Sequence, residues 1–162
     1  MVVKSGDFIS IIHYSGVSPF KSVVVETDEN YLAAKLKKTS DLVNFIQGDP
    51  AVVGFEADTE VHIYGSNITS VDTRNGTIKL TVDREEPDAD RREYERYPVS
   101  LYGDARDRQS GKKHYITVKD LSYSGIRVYS KSDFDHSQML ELDVYMDRNV
   151  LFLNTDIVRK IK

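Results

Sequence analysis

In the second half of the chain, Arg91, Arg92 and Arg96 in one segment and Asp120, Ser122 and Gly125 in another have the types and spacing to grip a small anionic ligand. A guanidinium is permanently charged, and its planar fork matches phosphate oxygens. The same fork fits the O6/N7 edge of guanine. Asp120 is acceptor-only and can take guanine N1–H and N2–H₂, while Ser122 can donate or accept. Gly125 permits a positive φ, or a close ligand approach, where a side chain would clash. Each segment also has a plainer reading. Glu93 and Glu95 can neutralise the arginines in a solvated linker, and Asp, Ser and Gly are ordinary turn residues.

Catalysis finds little support. Asp120, Ser122 and His114 suggest a hydrolytic triad, yet no Gly-x-Ser-x-Gly elbow surrounds Ser122. His13, His62, His114 and His136 lack metal-ligand spacing and read as ordinary surface or half-buried histidines. The absence of cysteine removes disulfides, thiolate nucleophiles and sulfur-ligated metals. A Gly-x-x-x-x-Gly-Lys phosphate loop is also missing. The reading is a binder, not an enzyme, with no cofactor.

The elements that must position these residues are strands. Val, Ile, Thr and Tyr are prominent, which favours sheet over helix. In the first half, strands are expected at 8–12, 23–26, 31–34, 52–56 and 60–64, with one helical turn at 40–46. Asn75-Gly76 lies between alternating segments and predicts a two-residue hairpin turn. These strands suggest a small β-barrel over residues 1–86. From Asp83 to Arg96 almost every residue is charged, so this stretch cannot bury apolar surface and reads as a linker. Strand patterning returns at 98–102, 115–121, 125–129, 139–146 and 150–158, a second small barrel within residues 87–162. Pro98 biases Tyr97 towards an extended backbone, so the linker should enter its strand abruptly.

The net charge of −4 argues against a grip on long nucleic acid, whose affinity comes mostly from phosphate neutralisation. The first residues lack the basic start and apolar run of a signal peptide, and no stretch is long and apolar enough to span a membrane. A cytoplasmic protein without membrane insertion is expected.

Taken together, the two segments resemble the PilZ family. Arg92 to Arg96 matches its Arg-x-x-x-Arg motif, led by Arg91 and followed by Tyr97-Pro98-Val99. Asp120 to Gly125 matches Asp-x-Ser-x-x-Gly, continuing Ile126-Arg127-Val128. The resemblance covers roughly the second half of the chain. It implies a β-barrel that binds cyclic di-GMP. Arg92 and Arg96 would hold phosphates and guanine, and Asp120, Ser122 and Gly125 would line the other side of a guanine. Arg91 is expected either to support a second, stacked nucleotide or to pair with Asp88 or Asp90.

A small β domain before PilZ is similar to YcgR-type flagellar brakes. That order implies control of motility and a flagellar motor component as partner. PilZ barrels usually continue with another strand and a terminal helix, so the second barrel is expected to be truncated. Its uncovered edge is open to pairing, which allows a monomer or a homodimer. The competing reading is a PilZ-like interaction module that binds no nucleotide and offers its edges and exposed tyrosines, such as Tyr94, Tyr97 and Tyr123.

Overall fold

The computed structural model describes residues 3–16, 18–57, 59–83 and 93–161. The all-β reading holds. Strands β1 (Phe8–Ile12), β2 (Phe20–Thr27), β3 (Tyr31–Leu36), β4 (Pro50–Ala57), β5 (Glu60–Asp72) and β6 (Thr77–Val82) form a closed barrel in the order β1-β2-β3-β6-β5-β4. Alternation drives it: Ile9 and Ile11 of β1 point inward, while Phe8 and Ile12 stay outside. Ile11, Leu32, Val53, Ile68, Ile78 and Leu80 meet in the core. Each such side chain stabilises by about 1.5–3 kcal/mol when fully buried. The expected helical turn is a short 3-10 segment, Thr39–Asn44, which inserts Leu42 into that core.

The β5–β6 hairpin departs from expectation. Thr73 to Gly76 form a four-residue loop, and within it only Gly76 has a positive φ, +73°. The cause is Asp72. Its carboxylate accepts from the Arg74 and Asn75 backbone N–H groups at 3.0 and 3.1 Å and from the Asn75 side chain at 2.7 Å. These bonds hold the loop wide and Asp72 below the usual carboxylate pKa.

The second sheet contains β7 (Tyr97–Asp107), β8 (Lys113–Leu121), β9 (Ile126–Ser130), β10 (Met139–Met146) and β11 (Asn149–Asp156), all antiparallel. Its order is β11-β10-β7-β8-β9. The expected second barrel is not closed: among the described residues β9 and β11 are unpaired edges. Closure needs strands tilted and staggered all round. Register breaks at Pro98/Leu101 and Val118/Asp120 bend the β9 side. The β10–β11 ladder instead runs unbroken from Met139↔Asp156 to Met146↔Asn149. Phe134 and Ile157 help cover the core face with Ile116, Val118, Leu142 and Val144. No helix among the described residues is long and apolar enough to cross a membrane.

The barrel docks on the other face of this sheet. Ser100 Oγ accepts from the Tyr14 backbone N–H at 3.1 Å and donates to the Pro50 carbonyl at 2.6 Å. The Tyr14 ring lies 6.1 Å from Tyr102, which stacks on Tyr145 at 4.9 Å. Tyr14 donates to Asp49, and burial with that carboxylate pushes its phenol far above the ordinary range. His13 is 1% exposed, not a surface or half-buried residue as its sequence context suggests. Its Nδ1 accepts from the Ser15 N–H at 3.3 Å, leaving the proton to Nε2, which faces Asp49 at 3.4 Å.

Two outcomes follow from this packing. A Cβ on Gly103 would run into the Asp143 carbonyl oxygen across the β7–β10 ladder. Gly103→Ala should therefore lower urea stability by about 1–3 kcal/mol, and an unchanged midpoint would show that the strands simply part. Burial holds the His13 pKa below 6.5, against the opposing pull of Asp49. The unfolded chain takes up this proton first, so His13 contributes stability above 6.5 that is lost as pH falls towards its folded value. Between about pH 7.5 and about pH 5.5, His13→Phe should show a smaller drop in urea midpoint than the unsubstituted chain; parallel drops would exclude His13 as the source.

Candidate functional site

β8 and β9 are joined by Ser122 to Gly125, so Leu121 faces Ile126 and Asp120 faces Arg127 directly across the ladder. The loop is closed by the Ser122 N–H, which donates to the Gly125 carbonyl at 2.8 Å, and by Ser122 Oγ at 3.3 Å. Ser122 thus spends its donor locally and keeps its lone pairs.

Arg96 arrives from the other motif just before β7. Its Nη1 donates to Asp120 Oδ1 at 2.9 Å, and Arg127 Nε lies 2.9 Å from Asp120 Oδ2. The Asp120 side chain is only 11% exposed, while the arginines are about one-third exposed. A carboxylate this buried is costly without paired, hydrogen-bonded charge. Here both oxygens are satisfied by guanidinium groups. The sequence motifs are therefore joined physically: Arg96, Asp120, Ser122 and Gly125 come together. Arg91 and Arg92 lie outside the described residues.

Glu93, Tyr94, Arg96, Ser122 and Ser124 line a cavity of about 210 Å³ beside this bridge. Ligand clefts usually measure roughly 300–1,000 Å³, so the described residues enclose room for part of a nucleotide. A larger depression of about 930 Å³ lies on the first barrel, lined by Phe8, Val23 and Phe55 with Lys21, Lys35 and Lys37, but it holds no residue of either motif. The chemistry favours the smaller one.

For Gly125 one of the two options that glycine offers is absent. Gly125 does not have a positive φ, and a Cβ there would make only ordinary contacts, 3.8 Å from Ser122 Oγ and 3.9 Å from Arg96 Nη2. The protein itself tolerates a methyl group; a longer side chain would project between Arg96 and Ser122. Asp120, expected to accept from a guanine, has one arginine contact on each oxygen, and a carboxylate oxygen has a second lone pair. Arg127 was not among the expected site residues. Counting outward from the four-residue loop would have placed it opposite Asp120, but a count requires knowing that the loop holds four residues.

The linker is also held at its other end. Asp83 accepts from Lys119 Nζ at 2.7 Å, and Lys119 is nearly buried, 5.8 Å from the Tyr129 ring centroid. Gly65 makes room for this. A Cβ there would strike the Asp83 carboxylate and press on Pro98, so both flanks of the linker converge on one glycine.

Asp120→Asn keeps the shape but removes the charge facing two guanidiniums, and should lower urea stability by about 1–2 kcal/mol, near the low end because the arginines are partly hydrated. Glu141, which meets Arg106 and Arg108 at 3.9 and 3.3 Å on an exposed rim, is the control. Glu141→Gln should cost under about 0.5 kcal/mol, and equal effects of the two substitutions would show that burial at Asp120 does not strengthen its bridge.

No curated protein matches the chain. It is similar in structure to Bacillus subtilis inhibitor of motility MotI/DgrA, with 16% identity, 95% of this chain and 78% of that chain covered, and a TM-score of 0.37. It is likewise similar to YcgR in complex with c-di-GMP from Escherichia coli, at 11% identity, 95% and 70% coverage and a TM-score of 0.38. For K. pneumonia MrkH in its apo state the values are 14%, 92%, 67% and 0.39. The family itself is given by sequence: residues 90–162 match the PilZ domain. With both motifs in that segment and Arg96 meeting Asp120, the chain carries a PilZ domain over residues 90–162.

Proposed function

We propose that the chain is a receptor for cyclic di-GMP, bound where the arginine segment meets the Asp120–Gly125 loop. The observation that carries this reading is the Arg96–Asp120 bridge at the cavity, which joins the two motifs of a PilZ domain. Arg96 donates to the Asp120 carboxylate. Phosphate oxygens, or guanine O6 and N7, compete for the same guanidinium. Asp120 serves first as the fulcrum that orients Arg96 and Arg127, and accepts from guanine. Ser122 and Gly125 line the space between, and Arg91 and Arg92 complete the cationic grip from the linker.

The linker supplies the response. Asp83 is fixed on Lys119 and Arg96 on Asp120, neighbouring residues of β8. A nucleotide that draws Arg91, Arg92 and Arg96 onto the PilZ sheet orders the segment between these anchors and changes the arrangement of sheet and barrel. This works only if the ligand binds one arrangement better than the other. The order of a small β-barrel before a PilZ domain supports control of motility, with a flagellar motor component reading the altered surface.

Isothermal titration tests the proposal. Charge-assisted contacts contribute about 1.5–3 kcal/mol each. Less the Arg96–Asp120 contact given up and the ordering of the linker, they give a dissociation constant on the order of micromolar, about −8 kcal/mol. Arg96→Ala should weaken binding roughly tenfold to a hundredfold, and GTP should give no saturable heat. A folded chain that gives no heat with cyclic di-GMP would move the function to the nucleotide-independent interaction module.

A further inference from the structure

Tyr94 and Tyr123 stand beside the motifs without belonging to their defining positions. Tyr94 is half-buried and lines the cavity with Arg96 and Ser122. Tyr123 sits at the tip of the β8–β9 loop, between the cavity residues Ser122 and Ser124, and is 87% exposed. Their ring centroids are 4.9 Å apart with the planes tilted by 37°. So exposed a ring contributes little burial to the fold. Its aromatic contact is with Tyr94 of the arginine segment, which lines the cavity.

We propose that Tyr94 and Tyr123 form an aromatic wall on which a guanine base stacks; this rests on the cyclic di-GMP reading of the same site. A purine has two kinds of surface. Its edge carries donors and acceptors that an arginine can read, and its face is apolar and needs a flat partner to leave water. Arg96 and Ser122 offer groups for the edge. Tyr94 supplies the face inside the cavity, and Tyr123, already in contact with it, carries the wall to the mouth. At 4.9 Å the rings leave no gap for a base between them, so the base lies against the pair. Stacking tolerates any base, whereas the arginine edge contact selects guanine. Affinity and base choice are thereby divided between the tyrosines and the arginine.

The full chain is titrated with cyclic di-GMP while the guanine H8 proton is followed by NMR. The unsubstituted chain should move H8 upfield, as a ring face does. Tyr94→Ala and Tyr123→Ala should each weaken binding about tenfold and shrink that shift, while Tyr123→Phe should bind within about twofold of the unsubstituted chain. Tyr123→Ala keeps its thermal midpoint because the side chain is exposed, so the test stands even if Tyr94→Ala unfolds. Unchanged affinity and H8 shift in Tyr123→Ala would overturn the aromatic wall and leave the receptor standing. Failure of the unsubstituted chain to bind would overturn both.

Discussion

A carboxylate taken out of water demands compensation, and Asp120 receives it from two directions. Arg127 comes from across the ladder, fixed by the pairing of β8 with β9. Arg96 comes from the residue just before β7 starts. The first partner is local and comes with the hairpin. The second ties a distant stretch of chain to the sheet. Because Tyr97 and Pro98 pair with Leu121 and Asp120, the start of β7 and the placement of Arg96 are settled by the same register. The loop at Ser122 to Gly125, the cavity and the tyrosine pair all hang from that junction.

Hydrogen bonds and aromatic rings both join the barrel to the PilZ sheet. Ser100, with one hydroxyl, satisfies a donor and an acceptor of the barrel at once. Around it, tyrosines combine flat apolar rings with hydroxyls that find carboxylates, Tyr14 on Asp49 and Tyr145 on Asp104. Such side chains combine ring packing with hydrogen bonding, whereas His13 Nε2 beside them is buried without a hydrogen-bond partner.

Much of this was legible in the sequence because β structure writes itself in alternation. Phe8-Ile9-Ser10-Ile11-Ile12 and Met139-Leu140-Glu141-Leu142-Asp143-Val144 carry the inward and outward faces in order, and both are strands. The motif residues stood out by charge and spacing. What escaped was set by side chains acting on backbone or across strands. Asn75-Gly76 has the composition of a tight turn, yet Asp72 captures the preceding amides and widens it. Barrel closure depends on stagger between strands, which no single strand encodes. Arg127 looks like any outward arginine until the ladder register places Asp120 opposite it. His13 shows nothing in its neighbours to mark it as buried, because its burial comes from Phe45 and the Asp49 turn.

The convergence on Gly65 makes one small residue a shared support. Asp83, just past β6 of the barrel, and Pro98, at the start of β7, rest against the same glycine. A side chain at position 65 would press on both at once, so a single substitution there would disturb the Asp83–Lys119 pair and the entry into β7 together.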